Sequence, residues 1–175
     1  DLMQQTKAVL AGEDVKPESL PVSSLPKKHQ MAFNVVPQID VATENGFTKE
    51  EMKMVNETRK IFSDQEILVT PTCVRVPVLY GHSEAVYLET KSSFELEEVR
   101  ELLSQAQGIV VIDDLDDQEY PMPVQTADTL DVYVGRIRRD LFHPRGLNLW
   151  IVSDNVLKGA AWNAVQIAEY MVKNR

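Results

Sequence analysis

The stretch TPTCVRVPVLYGHSEAVYLET, residues 70–90, sets a cysteine, an arginine and a histidine within ten positions of an apolar, β-branched run. These residue types can supply a thiol nucleophile, a two-pronged anion clamp and a proton-transfer group. Cys73, among β-branched neighbours on a predicted strand, reads as a packed thiol rather than a nucleophile. On a strand Cys73 and Arg75 share a face. A buried Arg75 needs an anionic partner, so it is either a carboxylate clamp or, on an exposed edge or in a structural ion pair, plain scaffolding. His82 follows Gly81 just ahead of the next strand, and acid–base and structural roles both stand for it. His29 and His143 lie in proline-containing loops and carry no predicted chemistry.

A second cluster lies in TKEEMKMVNETRKIFS, which opens a helix near Thr48. Thr48 and Glu51 fit a capping box, in which the hydroxyl takes a backbone N–H and the acid reaches back to the cap. That occupies Glu51 and leaves Glu50. Glu50 and Lys53, three residues apart, stand on adjacent parts of one face. Met52, Val55 and Phe62 mark a core face on roughly the other side. A solvated face accounts for Glu50 and Lys53, but Met54 and Ile61 flank them, and such a face has no need of apolar neighbours.

Asp113, Asp114, Asp116 and Asp117 invite a calcium loop, yet the glycine and terminal glutamate of an EF-hand are missing, and a solvated turn is expected. Asn155 opens the last helix, where an N-cap is the default role. No metal site is expected.

The elements that must position these residues follow from periodicity and breakers. Residues 1–11 read as a helix and 13–30, with three prolines, as a loop. MAFNVV (31–36), EILVTPTCVRV (66–76), SEAVYLET (83–90), GIVVID (108–113), DVYVGRIRR (131–139) and LNLWIVS (147–153) read as strands. SFELEEVRELLSQA is an amphipathic helix with Phe94, Val99, Leu102, Leu103 and Ala106 on one face. NVLKGAAWNAVQIAEYMV is a helix apolar on most sides, hence predicted buried. The fold class is α+β, a mixed, largely antiparallel sheet covered by helices.

Bulk properties narrow the function. The 175 residues, 43% apolar and 26% charged, suit one domain with a sizeable core. A net charge of -9 with no basic cluster argues against nucleic acid, and no apolar run reaches the roughly 18 residues of a membrane span. One cysteine excludes an internal disulfide framework and fits a cytoplasmic location. There is no G-x-G-x-x-G or P-loop, so any dinucleotide has its main site elsewhere. The chain begins DLMQQTKAVLAG, with a helix already under way, which suggests the C-terminal part of a longer protein.

Together, FNVVPQID, ENGFTKEEMK, CVRVPVLYGHSEA and SDNVLKGAAWNAVQIAE resemble the C-terminal half of the aspartate-β-semialdehyde dehydrogenase family, in its bacterial, Gram-positive-like branch. The resemblance covers nearly the whole chain, with four motifs in family order. It implies a fold like the C-terminal domain of glyceraldehyde-3-phosphate dehydrogenase, with residues 1–175 as catalytic and dimerisation domain. It also implies an NADPH-dependent reaction turning aspartyl phosphate into aspartate semialdehyde, in the route to lysine, methionine and threonine. A cysteine of the N-terminal Rossmann half, absent from this chain, forms a thioacyl intermediate; phosphate leaves and hydride arrives from the nicotinamide.

Carried over by motif, His82 is the general acid/base. Arg75 binds the substrate α-carboxylate, Glu50 its α-ammonium group and Lys53 the phosphate. Asn155 touches the nicotinamide end of NADP, which is bound mainly by the absent half. The charges of Glu50, Arg75 and Lys53 each oppose those of their proposed partners. N-acetyl-glutamyl-phosphate reductase shares the reaction type, but its acylated amine leaves Glu50 without a task. A non-catalytic oligomerisation paralogue is the rival from another class. The resemblance further implies a homodimer, and a sheet covered by its own helices on one face leaves the other available to a self-complementary partner.

Overall fold

The computed structural model describes residues 1–174, which divide into two compact units: residues 1–79, and a second from Tyr80 onward.

The first unit is built on two helices, α1 (Leu2–Ala11) and α2 (Lys49–Phe62). Its interior holds Met31, Ala32, Val36 and Val55, with Pro21 fully enclosed. Gln5 of α1 is buried, and its side-chain oxygen accepts from the N–H groups of Met31 (2.6 Å) and Ala32 (3.2 Å). This explains why the predicted strand at 31–36 does not form. Two of its backbone donors are committed to Gln5, and Phe33 sits at φ 55, which turns the chain out of extension.

The predicted strand at 66–76 is also absent as a strand. Pro71 lacks a ladder donor, and the Ile67 carbonyl is taken by the Arg59 guanidinium at 2.9 Å. What remains is one antiparallel bridge, with Val36 N–H to Arg75 O at 3.0 Å and Arg75 N–H to Val36 O at 2.9 Å. Along α2 Val55 is buried as expected, but Phe62, at the last helical position, is exposed.

The second unit carries β1 (His82–Glu89), α3 (Leu96–Gln105), β2 (Ile109–Val111), α4 (Pro123–Thr126), β3 (Val132–Arg139), β4 (Gly146–Ser153), a π-helical turn (Leu157–Ala161) and α5 (Trp162–Lys173). The sheet order is β1-β4-β3-β2; only β2 and β3 are parallel, so the sheet is mixed and largely antiparallel. One face buries Val134, Ile137 and Leu147 under Phe94, Leu96, Val99 and Leu103 from α3 and its approach. Each fully buried aliphatic side chain there contributes about 1.5–3 kcal/mol. Leu102 departs from the predicted face and is exposed, because the helix turns it away from the sheet.

β3 is interrupted between Gly135 and Arg138, with Arg136 at φ 52. Asp113 fills the break: its carboxylate accepts from Ile137 N–H at 3.2 Å and pairs with Arg100, which also donates to the Ile137 carbonyl at 2.9 Å. Asp114 accepts from the N–H groups of Asp116 and Asp117, both at 3.0 Å. The Asp113 and Asp114 carboxylates thus serve local main-chain groups and Arg100, and among the described residues no group of three or more His, Cys, Asp or Glu is placed to hold a metal. No described helix is long and apolar enough to cross a membrane. The burial expected of the last helix is not met: Ile167, Tyr170, Met171 and Val172 are 55–70% exposed. No described element of this unit covers them.

Candidate active site

In the first unit the capping box forms as read. Thr48 Oγ1 accepts from Glu51 N–H at 3.3 Å, and Glu51 accepts from Thr48 N–H at 2.7 Å. The second oxygen of Glu51 does more than the capping pattern implied, accepting from Cys73 N–H at 2.9 Å. One carboxylate, 7% exposed, therefore ties the start of α2 to the segment leading into Arg75. These backbone donors, Thr48 first and then Cys73, hold its carboxyl below the usual carboxylate range.

With Glu51 occupied inward, Glu50 and Lys53 project on the outer face. Lys53 Nζ donates to Glu50 at 3.2 Å, and the side chains are 58% and 34% exposed. The Glu50 hydrogen bond and charge hold the Lys53 ammonium above its usual range. An exposed pair of this kind is worth about 0.2–1 kcal/mol, so either partner can exchange the other for a ligand group at small cost.

Cys73 and Arg75 do not share a strand face, since no strand forms there. The Cys73 thiol lies 3.6 Å from the Met54 sulfur. Arg75 is exposed, with its backbone fixed by both bonds to Val36. Its guanidinium is a rigid fork of donors on a pinned main chain, suited to a planar carboxylate.

In the second unit His82 is the first residue of β1, exposed, and pairs across the ladder with Ser153 at the end of β4. Asn155 is not the N-cap expected of it. The cap position of the π-helical turn is Val156, and the side chain that takes the N–H groups at its start is Asp154, whose Oδ1 accepts from Val156 N–H at 2.7 Å and Leu157 N–H at 2.6 Å. Its Oδ2 accepts from Asp128 N–H at 2.9 Å. Asp154 is 3% exposed, and the N–H groups of Leu157, Asp128 and Val156, with the nearby His82, hold its carboxyl below the usual range. Asn155 is thereby released to accept Gly81 N–H at 2.9 Å, immediately before His82. Asp154 was not singled out from sequence; adjacent Asp and Asn are equally good caps, and spacing cannot say which one turns inward.

Asn155 also bears on a dinucleotide. Its oxygen is committed to Gly81, which leaves the amide N–H2 to offer a carboxamide oxygen. The described residues thus fit the nicotinamide end of a cofactor and provide no glycine-rich cradle for its phosphates. In chemical terms the two units offer an imidazole, a guanidinium, an acid paired with an ammonium, and one amide.

The family model described as "Semialdehyde dehydrogenase, dimerisation domain" matches residues 1–158. The chain is 49% identical over 174 residues to the aspartate-semialdehyde dehydrogenase of Bacillus subtilis, covering 99% of this chain and 50% of that protein. A crystal structure of aspartate semialdehyde dehydrogenase II complexed with ASA, from Vibrio cholerae, superposes with a TM-score of 0.88 at 48% identity, over 98% of this chain and 48% of that one. That of the Candida albicans enzyme with NADP does so at 0.60 and 28% identity, over 79% and 44%. The chain spans about half the length of the curated relatives it matches. By its sequence match and its fold, the chain belongs to the semialdehyde dehydrogenase dimerisation-domain family.

Proposed function

We propose that this chain is the substrate-binding and subunit-contact portion of a cytoplasmic aspartate-semialdehyde dehydrogenase, catalysing NADPH-dependent reductive dephosphorylation of L-aspartyl 4-phosphate to L-aspartate 4-semialdehyde. The observation that carries this is the near-half identity to the B. subtilis enzyme over 99% of the chain, in a chain that presents Glu50, Lys53, Arg75 and His82.

Arg75 takes the α-carboxylate in a two-pronged, charge-assisted contact. Glu50 takes the α-ammonium group, and Lys53, released from Glu50, takes the phosphate. The weakness of the exposed Glu50–Lys53 pair supports that exchange, because both charges are replaced rather than abandoned. His82 accepts the proton of the thiol supplied by the rest of the protein, and later gives a proton to the reacting oxygen. The Asn155 amide N–H2 orients the nicotinamide end of the cofactor. NADPH, when bound, supplies the hydride. The partner is a second copy of the chain. The sheet face opposite α3, where Ala85, Tyr87 and Arg138 are exposed, supplies a self-complementary surface about a two-fold axis.

The test is phosphate-dependent NADP reduction by the full-length protein with L-aspartate 4-semialdehyde, against N-acetyl-L-glutamate 5-semialdehyde. A strong preference for the first, weakened by Glu50→Ala, is expected, as is a raised KM in Arg75→Ala that Arg75→Lys does not restore. Equal use of both aldehydes, or a preference untouched by Glu50→Ala, would overturn the assignment.

A further inference from the structure

Asn155 reaches back to Gly81 rather than into the helix it precedes. Only the amide oxygen can face a backbone N–H, so the 2.9 Å bond fixes which way the side chain is turned. Gly81 has φ 87, and a Cβ there would lie 3.0 Å from the Ser153 carbonyl oxygen. The backbone thus passes the end of β4 in a left-handed conformation and at a distance that suit glycine. The next residue, His82, forms the terminal pair of the β1–β4 ladder with Ser153. Ladder ends open most readily, and the Asn155–Gly81 bond closes the ladder one step beyond that pair.

What holds Asn155 in place is its neighbour. The buried Asp154 carboxylate gathers the N–H groups of Asp128, Val156 and Leu157. It thereby joins the end of β4, the loop after α4 and the start of the π-helical turn. That turn passes beside the imidazole: a Cβ on Gly159 would lie 3.5 Å from the Asp154 carbonyl oxygen and 4.0 Å from His82 Cδ2.

We propose that Asn155, seated by Asp154, is a positioning residue for His82, acting through the Gly81 backbone. This rests on the acid–base role of His82 proposed above, and it concerns the amide oxygen rather than the N–H2 that faces the cofactor. A misplacement of about 1 Å can cost about 100-fold in rate.

The experiment compares Asn155→Ala and Asn155→Asp in the full-length protein. Aspartate keeps an acceptor for Gly81 N–H and lacks the amide donor. Asn155→Ala should lower kcat about 10- to 100-fold, with KM for L-aspartate 4-semialdehyde and phosphate nearly unchanged. Asn155→Asp, which keeps the Gly81 acceptor and loses only the amide donor, should lose clearly less kcat than Asn155→Ala while raising KM for NADP. Hydrogen exchange at the Gly81 amide, which needs no turnover, should accelerate in Asn155→Ala and slow again in Asn155→Asp. Equal kcat losses in both variants, with KM for NADP raised in both, would assign Asn155 to the cofactor alone and overturn the positioning role. Normal kcat in Asn155→Ala despite fast Gly81 exchange would overturn it too. Near-normal kcat in His82→Ala would instead place the failure in the acid–base reading of His82 on which the proposal stands.

Discussion

Removing the Glu51 carboxylate should cost stability by a predictable amount and with a predictable pH dependence. Its two oxygens satisfy two backbone donors, Thr48 at 2.7 Å and Cys73 at 2.9 Å. Loss of the cap contribution costs about 1 kcal/mol. Leaving the half-buried Cys73 N–H without its acceptor costs about 1–3 kcal/mol more. Glu51→Ala should therefore lose about 2–4 kcal/mol. Glu51→Gln keeps one oxygen but turns an N–H2 toward the other donor, for a loss of about 1–3 kcal/mol.

The carboxyl sits below its ordinary value of 4.5 in the folded state. Its stabilisation is thus fully present above that value and is lost as pH falls through the lower folded-state value. Glutamine does not titrate, so the gap between wild type and Glu51→Gln should be constant well above 4.5 and close as pH falls through the lower folded-state value. Urea unfolding followed by circular dichroism across that range measures it. Since Cys73 lies two residues before Arg75, the same variants should raise KM for the amino-acid substrate more than they lower kcat. A loss below about 0.5 kcal/mol, the level of an ordinary surface change, or a gap that ignores pH, would refute this account of the Glu51 tie.

In the full-length protein His82→Ala should lower kcat about 10²–10⁴-fold, read from steady-state rates. The 175-residue chain alone should show no turnover with NADPH and aspartyl phosphate, and turnover abolished by Cys73→Ser would reverse the reading of that thiol. Sedimentation at micromolar concentration should find a two-fold dimer; a folded monomer would count against the sheet face as partner surface. Gly135→Ala should destabilise by about 1–3 kcal/mol through overpacking, because a Cβ there would fall 2.2 Å from the Ile112 carbonyl oxygen; thermal denaturation reads the shift.

Strong local signals survived into the structure. The Thr48–Glu51 box, the helix start it marks and the strands at His82–Glu89, Val132–Arg139 and Gly146–Ser153 follow from capping chemistry and period-two alternation. The segments misread as strands, 31–36 and 66–76, have the right composition, but distant partners take their backbone groups: Gln5 in one case, Arg59 and Glu51 in the other. Such long-range competition leaves no trace in a window of neighbours. The last helix misled differently. Its apolar residues are present as read, but burial depends on what lies against them, and composition does not carry that. For the candidate residues Glu50, Lys53, Arg75 and His82, residue type and spacing left structural and functional readings open, and the family resemblance chose between them. The fixtures Asp154 and the second bond of Glu51 were hidden because their partners are main-chain N–H groups, which every residue but proline owns.

The reciprocal bonds at Thr48 and Glu51 also decide where this chain can change length. Just ahead of them a tight turn runs from Thr43 to Phe47, closed by Thr43 N–H to Phe47 O at 2.7 Å and Gly46 N–H to Thr43 O at 3.2 Å. Residues gained or lost at the Asn45–Gly46 tip would be absorbed before the helix begins, and Glu50 and Lys53 would keep their bearing. One residue added between Thr48 and Glu51 would rotate everything beyond it by about 100° around the helix axis and separate the cap from its acid. Length drift among natural variants should accordingly gather at the tip and stop short of Thr48. The same tip is the place to graft a label or an affinity sequence without disturbing the charged face beyond it.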